Sequence, residues 1–568
     1  MEDIMPKATE VMTDILVQAG IEYVFGIPGG CTPFVFDALV DKKDKIKTIL
    51  SRQEGTASCM ADMYGRITGK PAVIMGQGAW IGSNAAYGIM EAYLAGVPML
   101  IITETSDYAS LPLHQPYQNA TGDYGAIDLP SILRSMTKFT TVATNASEFA
   151  HGVQLAIKHA TTGKPGPAAV IIRWNVVNEE LDPDTATPRL YPLAGHLNVS
   201  PPSITAADAD RIADMLIKAK NPVMITGRGI HAAKAYAEIQ ECAELLGIPV
   251  ATSYMGKSTI PEVHDLALGT TGIIGQKTAN ERVTNADVIF AVGTGLAPEN
   301  TKMLSPDFIR PLEQKIIHVD IEPLHVGWTY PVEIGVTSEA KLALRAVIDA
   351  IKAKKPKIDV KKRIEEVKAF KKEHKCFESD FFVSNDTPIL PGRIVGEVSK
   401  VLGPDDLLVL DAGNNRMFFT NLYQSKKAGQ VFAAGGAAAM GWGPPAALAA
   451  QMLYPDKRVV CETGDGSMFM ALNCLETAAQ YDIPVTYVIV NNSVLGNVND
   501  FQGPDRKIIT EYDEPDFSSL AKAAGWMGMK VTKPQELEPA LKEAIESERP
   551  ALVDITTLHQ PHFVLMSF

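Results

Sequence analysis

A chain of 568 residues, 46% hydrophobic and 21% charged, has the composition of an ordinary globular protein and the length for about three domains. Its formal net charge of -14 argues against a nucleic-acid partner. The six cysteines include no CxxC pair or metal spacing, no run of about 18 apolar residues offers a membrane span, and the N-terminus lacks the apolar core of a signal peptide; we expect reduced thiols in a cytoplasmic protein.

In chain order, the first expected strands are "PAVIMG", "VPMLIIT" and "PAAVIIRW". They are short, β-rich and bounded by Gly or Pro, as buried parallel strands are. Between the first two lies "SNAAYGIMEAYLAG", and before them "EGTASCMADMYGRIT", both with helical spacing. Residues 1–185 are therefore expected to form one α/β domain. The proline-bearing "NVSPPSITAADAD" marks a boundary near residue 200. A second α/β unit, 200–350, follows with strands "NPVMITGRG", "IPVATS", "ADVIFAVGTG" and "KIIHVDIEP". The Lys-rich "IKAKKPKIDVKKRIEEVKAFKKEHK" reads as a solvated linker helix. A third α/β unit is expected over 376–568. The fold class is α/β, with three open parallel-sheet domains in series.

In the third unit, "KRVVCET" predicts a strand, "SMFMALNCLETAAQYD" a helix and "PVTYVIVNN" the next strand. A βαβ unit is almost always right-handed, and both strand C-termini open on one crevice. That places Asp465, in the turn "GDG", beside Asn492, 27 residues on. A hard dication takes oxygen ligands and is usually shared with phosphates. One carboxylate, one amide oxygen and a loop carbonyl supply three of them. Gly464 and Gly466 allow close approach of backbone to phosphate, and Ser467 opens a helix whose N-terminus favours anions.

The "GDG" to "NN" spacing resembles the signature of thiamine diphosphate (ThDP) enzymes. "EYVFGIPGGCTPFVFDAL", "RQEGTASCMADMYGRITGKPAV" and "AAGGAAAMGWGPPAALAA" resemble segments of the acetolactate synthase group, in the same order over nearly the whole chain. The resemblance implies a pyrimidine-binding first domain, a Rossmann-like middle domain and a diphosphate-binding third domain. It implies Glu54 as the catalytic carboxylate at N1′ of the aminopyrimidine, with Pro28 and Asn84 lining that side of the cofactor. Met440 resembles the bulky wedge that bends the two rings together, with Ala438 beside it. Gly413, Asn414 and Asn415 of "DAGNNR" match the diphosphate loop. Asp465, Asn492 and the carbonyl of Val494 are implied as ligands of Mg2+, and Leu495, Gly496 and Asn497 continue the cofactor loop. The resemblance further implies a homodimer or homotetramer with sites at the subunit interface.

Departures from that group cluster on substrate positions. "SGPGATN" reads "GAWIGSN" here, so Trp80 and Ile81 replace a Pro-Gly. "FQE" becomes Tyr124-Gly125-Ala126, and "LHQPYQN" nearby offers His114, Gln115 or Gln118 as a substitute. "LGNVNDFQ" places Asn497 and Phe501 where Met and the acceptor-selecting Trp usually stand. Trp80, Gln118, Asn497 and Phe501 are thus the candidate substrate residues. Segments "GRGIHAA", "SYMGKS" and "VDIEP" resemble a flavin-binding middle domain, which implies FAD, with ADP, coenzyme A or no ligand as alternatives. The expected activity is a ThDP- and Mg2+-dependent carbon–carbon lyase or carboligase acting on a 2-oxo acid or related carbonyl compound, with an altered substrate pocket. The alternatives are a 2-hydroxyacyl-coenzyme A lyase or decarboxylase, a cyclic diketone hydrolase, or a flavin-coupled 2-oxo acid oxidase.

Overall fold

The computed structural model describes residues 5–107, 118–123 and 125–561. His114, Gln115 and Tyr124 lie outside the described residues. Among the described residues, eighteen strands run in chain order through three sheets, all paired in parallel. The first sheet holds β1 (Tyr23–Gly26), β2 (Lys47–Leu50), β3 (Ala72–Met75), β4 (Met99–Glu104), β5 (Phe139–Ala143) and β6 (Pro167–Ile172), in the order β2-β1-β3-β4-β6-β5. The middle sheet holds β7 (Pro222–Thr226), β8 (Val250–Thr252), β9 (Ala267–Thr270), β10 (Val288–Val292), β11 (Lys315–Asp320) and β12 (Ile334–Thr337), in the order β12-β11-β10-β7-β8-β9. The third holds β13 (Leu407–Leu410), β14 (Val431–Ala433), β15 (Val459–Gly464), β16 (Thr486–Asn491), β17 (Met527–Val531) and β18 (Ala551–Thr556), in the order β14-β13-β15-β16-β18-β17. The first and third sheets therefore share one strand order. In both, that order reverses between the first and third strands of the sheet, and such a switch point opens a crevice at the strand C-termini.

The chain folds as two compact units. One takes the chain up to Ser200 together with Gly435–Tyr454 and Ala471–Ile483; the other takes Pro201–Ala434, Pro455–Met470 and the chain from Pro484 onward. In the first unit, the helix Glu54–Thr68 is buried along nearly its whole length and packs against the helix Gly443–Leu453. Small residues make this closeness possible. A Cβ on Gly55 would lie 2.2 Å from the Tyr87 ring, and one on Gly65 2.6 Å from the Pro98 carbonyl oxygen. The expected single helix over 467–482 is broken into Asp465–Phe469 and Asn473–Gln480. The break falls where the chain passes from one unit to the other.

In the second unit, the Lys-rich run is not one solvated helix. It forms Ala340–Lys354 and Val360–Glu373, separated at Lys355 (φ 47°) and Pro356. Proline removes a backbone donor and clashes with the preceding turn, which ends the first helix. The second helix docks on the middle sheet's core. Val367 is buried, and Arg363 donates to the carbonyls of Leu246 (3.0 Å) and Ala219 (2.9 Å).

A buried ion pair also belongs to this unit. Lys257 Nζ donates to both carboxylate oxygens of Glu262 at 2.8 Å and to the Tyr423 carbonyl at 2.7 Å, while Glu262 accepts from the Ser425 N–H at 2.8 Å. Burial pulls the Lys257 pKa down against the opposing pull of Glu262. Breaking such a pair leaves a charge buried without compensation. Lys257→Met should cost about 3–5 kcal/mol of stability, read by thermal unfolding, and the added Glu262→Leu should recover much of it. A single variant with unchanged Tm would show that the pair is not stabilising.

Candidate cofactor site

One cluster of candidate residues lies in the first unit. Glu54 opens its helix just after β2, and its extended N-cap residue Gln53 sets the start. The carboxyl is only 7% exposed and accepts from Asn84 Nδ2 at 3.0 Å. Sequence and structure thus bring Glu54 and Asn84 together. Pro28 follows β1, in the loop that ends at Gly30 (φ 59°). Ala438 (φ 54°) and Gly441 (φ 82°) bend the backbone on either side of Met440, so its side chain is presented on a tight turn.

That turn is held by a group the sequence reading missed. Glu91, buried in the helix Ala86–Ala95, accepts four successive backbone N–H groups. Oε1 takes Gly435 (3.0 Å) and Gly436 (2.9 Å), and Oε2 takes Ala437 (2.7 Å) and Ala438 (2.9 Å). Arg66 Nη2 bonds Glu91 at 2.5 Å, its Nε bonds Asp62 at 2.8 Å, and its guanidinium stacks 4.8 Å from the Trp442 ring centroid. The Trp442 indole N–H donates to Asp62 at 2.8 Å. Burial alone would raise the Glu91 pKa; the Arg66 charge and the backbone donors outweigh it and bring it down to about 2. The available signal was an acid inside the apolar helical run "GIMEAYLAG".

A separate cluster lies in the second unit, at the switch point of the third sheet. Gly413 (φ 131°) caps the helix Asn414–Leu422 just after β13; a Cβ there would meet Asn415 Oδ1 at 2.2 Å. Asn415 Nδ2 reaches Glu462 Oε1 at 2.5 Å. Glu462 is fully buried, its Oε2 has no partner among the described residues, and burial together with Asp411 pushes its pKa up to about 8 against the Asn415 bond. Gly464 ends β15, and Ser467 Oγ donates to the Ala412 carbonyl at 3.1 Å. The helix Asp465–Phe469 has five residues, too short for the helix-end anion site expected there.

Asp465 is buried and joins the ends of β15 and β16. Its Oδ2 accepts from the N–H of Asn492 (3.1 Å) and Ser493 (2.6 Å), and its Oδ1 from Gly466 (2.8 Å). Burial raises its pKa against these bonds and one from Tyr512. Asn492 Oδ1 accepts from the Val494 N–H at 3.0 Å, and Leu495 N donates to the Thr510 carbonyl at 2.7 Å. The "NN" pair divides its labour. Asn491 is buried and donates to Pro515 and Asp554, so it is structural, while Asn492 faces the loop. Among the described residues no group of three or more His, Cys, Asp or Glu could hold a metal. The oxygen set of Asp465, Asn492 and a loop carbonyl still fits a hard dication, which needs few charged ligands when phosphates complete its shell.

Of the candidate substrate residues, Trp80 is 44% exposed and its indole N–H donates to Gln77 Oε1 at 3.1 Å. Gln118 Oε1 accepts from Gln77 Nε2 at 2.9 Å. Gly496 begins a single turn of helix, Gly496–Asn499, and a Cβ on it would sit 3.2 Å from Asn414 Cβ. Asn497 Oδ1 is buried without a partner among the described residues, whereas Phe501 is 74% exposed. In the middle sheet, Gly227 and Gly229 permit backbone packing. A Cβ on either would lie within 2.6 Å of Gly293 backbone atoms.

The Glu91 clamp has a pH signature. Its folded pKa is depressed from 4.5 to about 2, so its contribution, on the order of 3 kcal/mol, is fully present above about 4.5 and lost as pH falls toward about 2. Glu91→Gln should melt well below the parent at pH 7, and the gap should close on acidification through that window. A gap constant from pH 7 to pH 3 would refute the clamp as its source.

Family models for thiamine pyrophosphate enzymes match three stretches: the N-terminal TPP binding domain over residues 6–127, the central domain over 209–347 and the C-terminal TPP binding domain over 411–555. The chain is 30% identical to the probable acetolactate synthase large subunit of Methanocaldococcus jannaschii, covering 97% of this chain and 91% of that one. It is 30% identical to the acetolactate synthase isozyme 3 large subunit of Escherichia coli, covering 98% and 96%. It is 31% identical to the acetolactate synthase large subunit of Haemophilus influenzae, covering 98% and 95%. With three matched domains, three parallel sheets and full-length relatives, the chain belongs to the thiamine pyrophosphate enzymes and is a ThDP-dependent, acetolactate synthase-like member of that family.

Proposed function

We propose that the chain is a ThDP- and Mg2+-dependent carbon–carbon lyase or carboligase, cytoplasmic, acting on a 2-oxo acid or related carbonyl compound through a rebuilt substrate pocket. The observation that carries this is Asp465 bound to the Asn492 N–H (3.1 Å) across the ends of adjacent parallel strands. Asp465, Asn492 and the Val494 carbonyl would hold Mg2+. Gly413, Asn414, Asn415, Gly464, Gly466 and Ser467 would receive the diphosphate, with Leu495 and Gly496 closing the loop. Pro28, Asn84, Ala438 and Met440 would shape the pyrimidine side. Bound ThDP supplies the electron sink for making and breaking the carbon–carbon bond. Glu54 would hold the proton at N1′, oriented by its bond from Asn84.

On the substrate side, Asn497 Oδ1 is a buried acceptor in need of a donor. Leaving it unpaired costs about 1–3 kcal/mol. A substrate hydroxyl can satisfy it, whereas the methyl of pyruvate cannot, and sites built on such bonds discriminate strongly. Acetolactate formation from pyruvate alone should therefore be weak or absent. Turnover near 10 per second, typical of a well-matched enzyme, would show that these residues do not set the substrate. We propose a homodimer or homotetramer in which Glu54 of one subunit serves Asp465 of another. Co-refolded Glu54→Ala and Asp465→Ala chains should then regain partial activity. FAD is the occupant to test in the middle sheet: flavin absorbance bleached by substrate would favour the flavin-coupled oxidase.

Two variants test the core of the proposal. ThDP binding, measured calorimetrically, should require a divalent cation and be lost in Asp465→Ala; unchanged affinity would remove the metal assignment. Glu54→Gln should retain ThDP but exchange the cofactor's C2 proton slower by orders of magnitude, as NMR in deuterated solvent would report. Equal exchange rates would dismiss the carboxylate's role.

A further inference from the structure

The first sheet's switch point carries a polar chain that none of the roles above uses. Glu104 is the last residue of β4 and is fully buried. Its Oε1 accepts from the Ser106 hydroxyl (2.8 Å) and the Gly78 N–H (3.2 Å), and its Oε2 from the Ser106 N–H (2.5 Å). Ser106 Oγ lies 3.2 Å from Gln77 Nε2, which also donates to Gln118 at 2.9 Å. Gln77 Oε1 takes the indole N–H of Trp80 at 3.1 Å.

With Glu104 ionised, against the upward pull of burial on its pKa, the direction of every bond is fixed. An indole N–H only donates, so the Gln77 oxygen must face Trp80. Its amino group must then face Ser106 and Gln118. Ser106 accepts there, and its single hydroxyl hydrogen remains for Glu104. The carboxylate is the terminal acceptor. Glu104 also abuts the loop of Pro28: a Cβ on Gly30 would lie 2.5 Å from Oε1. Ser106 holds its place with a left-handed backbone (φ 53°), a strained conformation for a non-glycine residue.

We propose that Glu104, Ser106 and Gln77 are positioning residues, a one-way hydrogen-bond relay that fixes the Trp80 ring and the Gln118 amide and thereby sets which 2-oxo acid side chains the pocket accepts. This rests on the reading of Trp80 and Gln118 as substrate residues. Trp80 is 44% exposed, so packing alone does not immobilise its ring. The relay supplies the missing restraint at the indole nitrogen. A shift of about 1 Å in such a wall is enough to change which substrate is held productively.

The test uses the full-length protein with Ser106→Ala, Glu104→Gln and Trp80→Phe, and with Trp80→Phe combined with each of the other two. The first readout is Trp80 fluorescence, taken as the difference between each protein and its Trp80→Phe counterpart. Ser106→Ala and Glu104→Gln should red-shift that component and make it more quenchable by acrylamide. The second readout is kcat/KM over 2-oxo acids of graded side-chain size. Each single variant should compress the ratio of best to worst substrate by about 10-fold, and the Ser106→Ala/Trp80→Phe pair should compress it no further than either single change. An unchanged Trp80 signal in both relay variants, an equal fall in kcat for all substrates at constant ratios, or additive effects in the pair would each overturn the relay. If the parent turns over no 2-oxo acid, the 2-oxo acid reading of the pocket fails, while the fluorescence readout still decides the relay.

Discussion

A glycine-rich segment buried without regular secondary structure needs acceptors for its backbone amides. Here the acceptor is one buried carboxylate. Glu91 binds the N–H groups of residues 435–438 and is itself neutralised by Arg66, which Asp62 and Trp442 hold in turn. Both costs of the arrangement are met at once. The charge is paired, and four amides of an irregular segment are satisfied without regular secondary structure. The turn that presents Met440 follows immediately, and the helix Gly443–Leu453 continues from it onto the helix that begins at Glu54. Glu54 and Met440 are therefore positioned by the same packed elements.

The first and third sheets repeat one strand order and place their chemistry at matching ends. In the third sheet, β13 leads to Gly413, β15 to Asp465 and β16 to Asn492. In the first, β1 leads to Pro28, β3 to Gln77 and β4 to Glu104. The same topology serves two purposes. The third sheet's crevice collects a buried acid, amides and glycines. The first sheet's crevice collects neutral amides, a hydroxyl and one buried acid, which suit shape and hydrogen-bond selection. Parallel strands end together, so either set of residues converges without long-range adjustment.

The parts legible in the sequence were those with a local physical cause. Continuous apolar runs marked strands buried on both faces, and a βαβ connection of fixed hand placed Asp465 beside Asn492. Glu54 and Asn84 were named separately and proved to be bonded. The Lys-rich run misled because its charges suggested solvent, while Pro356 broke it and Val367 and Arg363 tied the second half to the core. The 467–482 helix misled because its periodicity continues across a break, which falls where the chain passes from one compact unit to the other.

What the sequence by itself determined is the α/β class, the three sheets, the family and the placement of Asp465 beside Asn492 at adjacent strand ends. Those follow from periodicity, short spacings and motifs that carry their own geometry. Only the tertiary structure decided what Glu91 and Glu104 do, that Asn491 is structural while Asn492 is not, and that Trp80 is tied through Gln77 and Ser106 to a buried acid. An isolated acid in an apolar run has no meaning until its partners are known. Those partners stand 25 residues away for Arg66, and more than 340 for the amides of Gly435 to Ala438. Separations of that size have no local pattern, because they are fixed by how helices and loops pack and not by the neighbours along the chain.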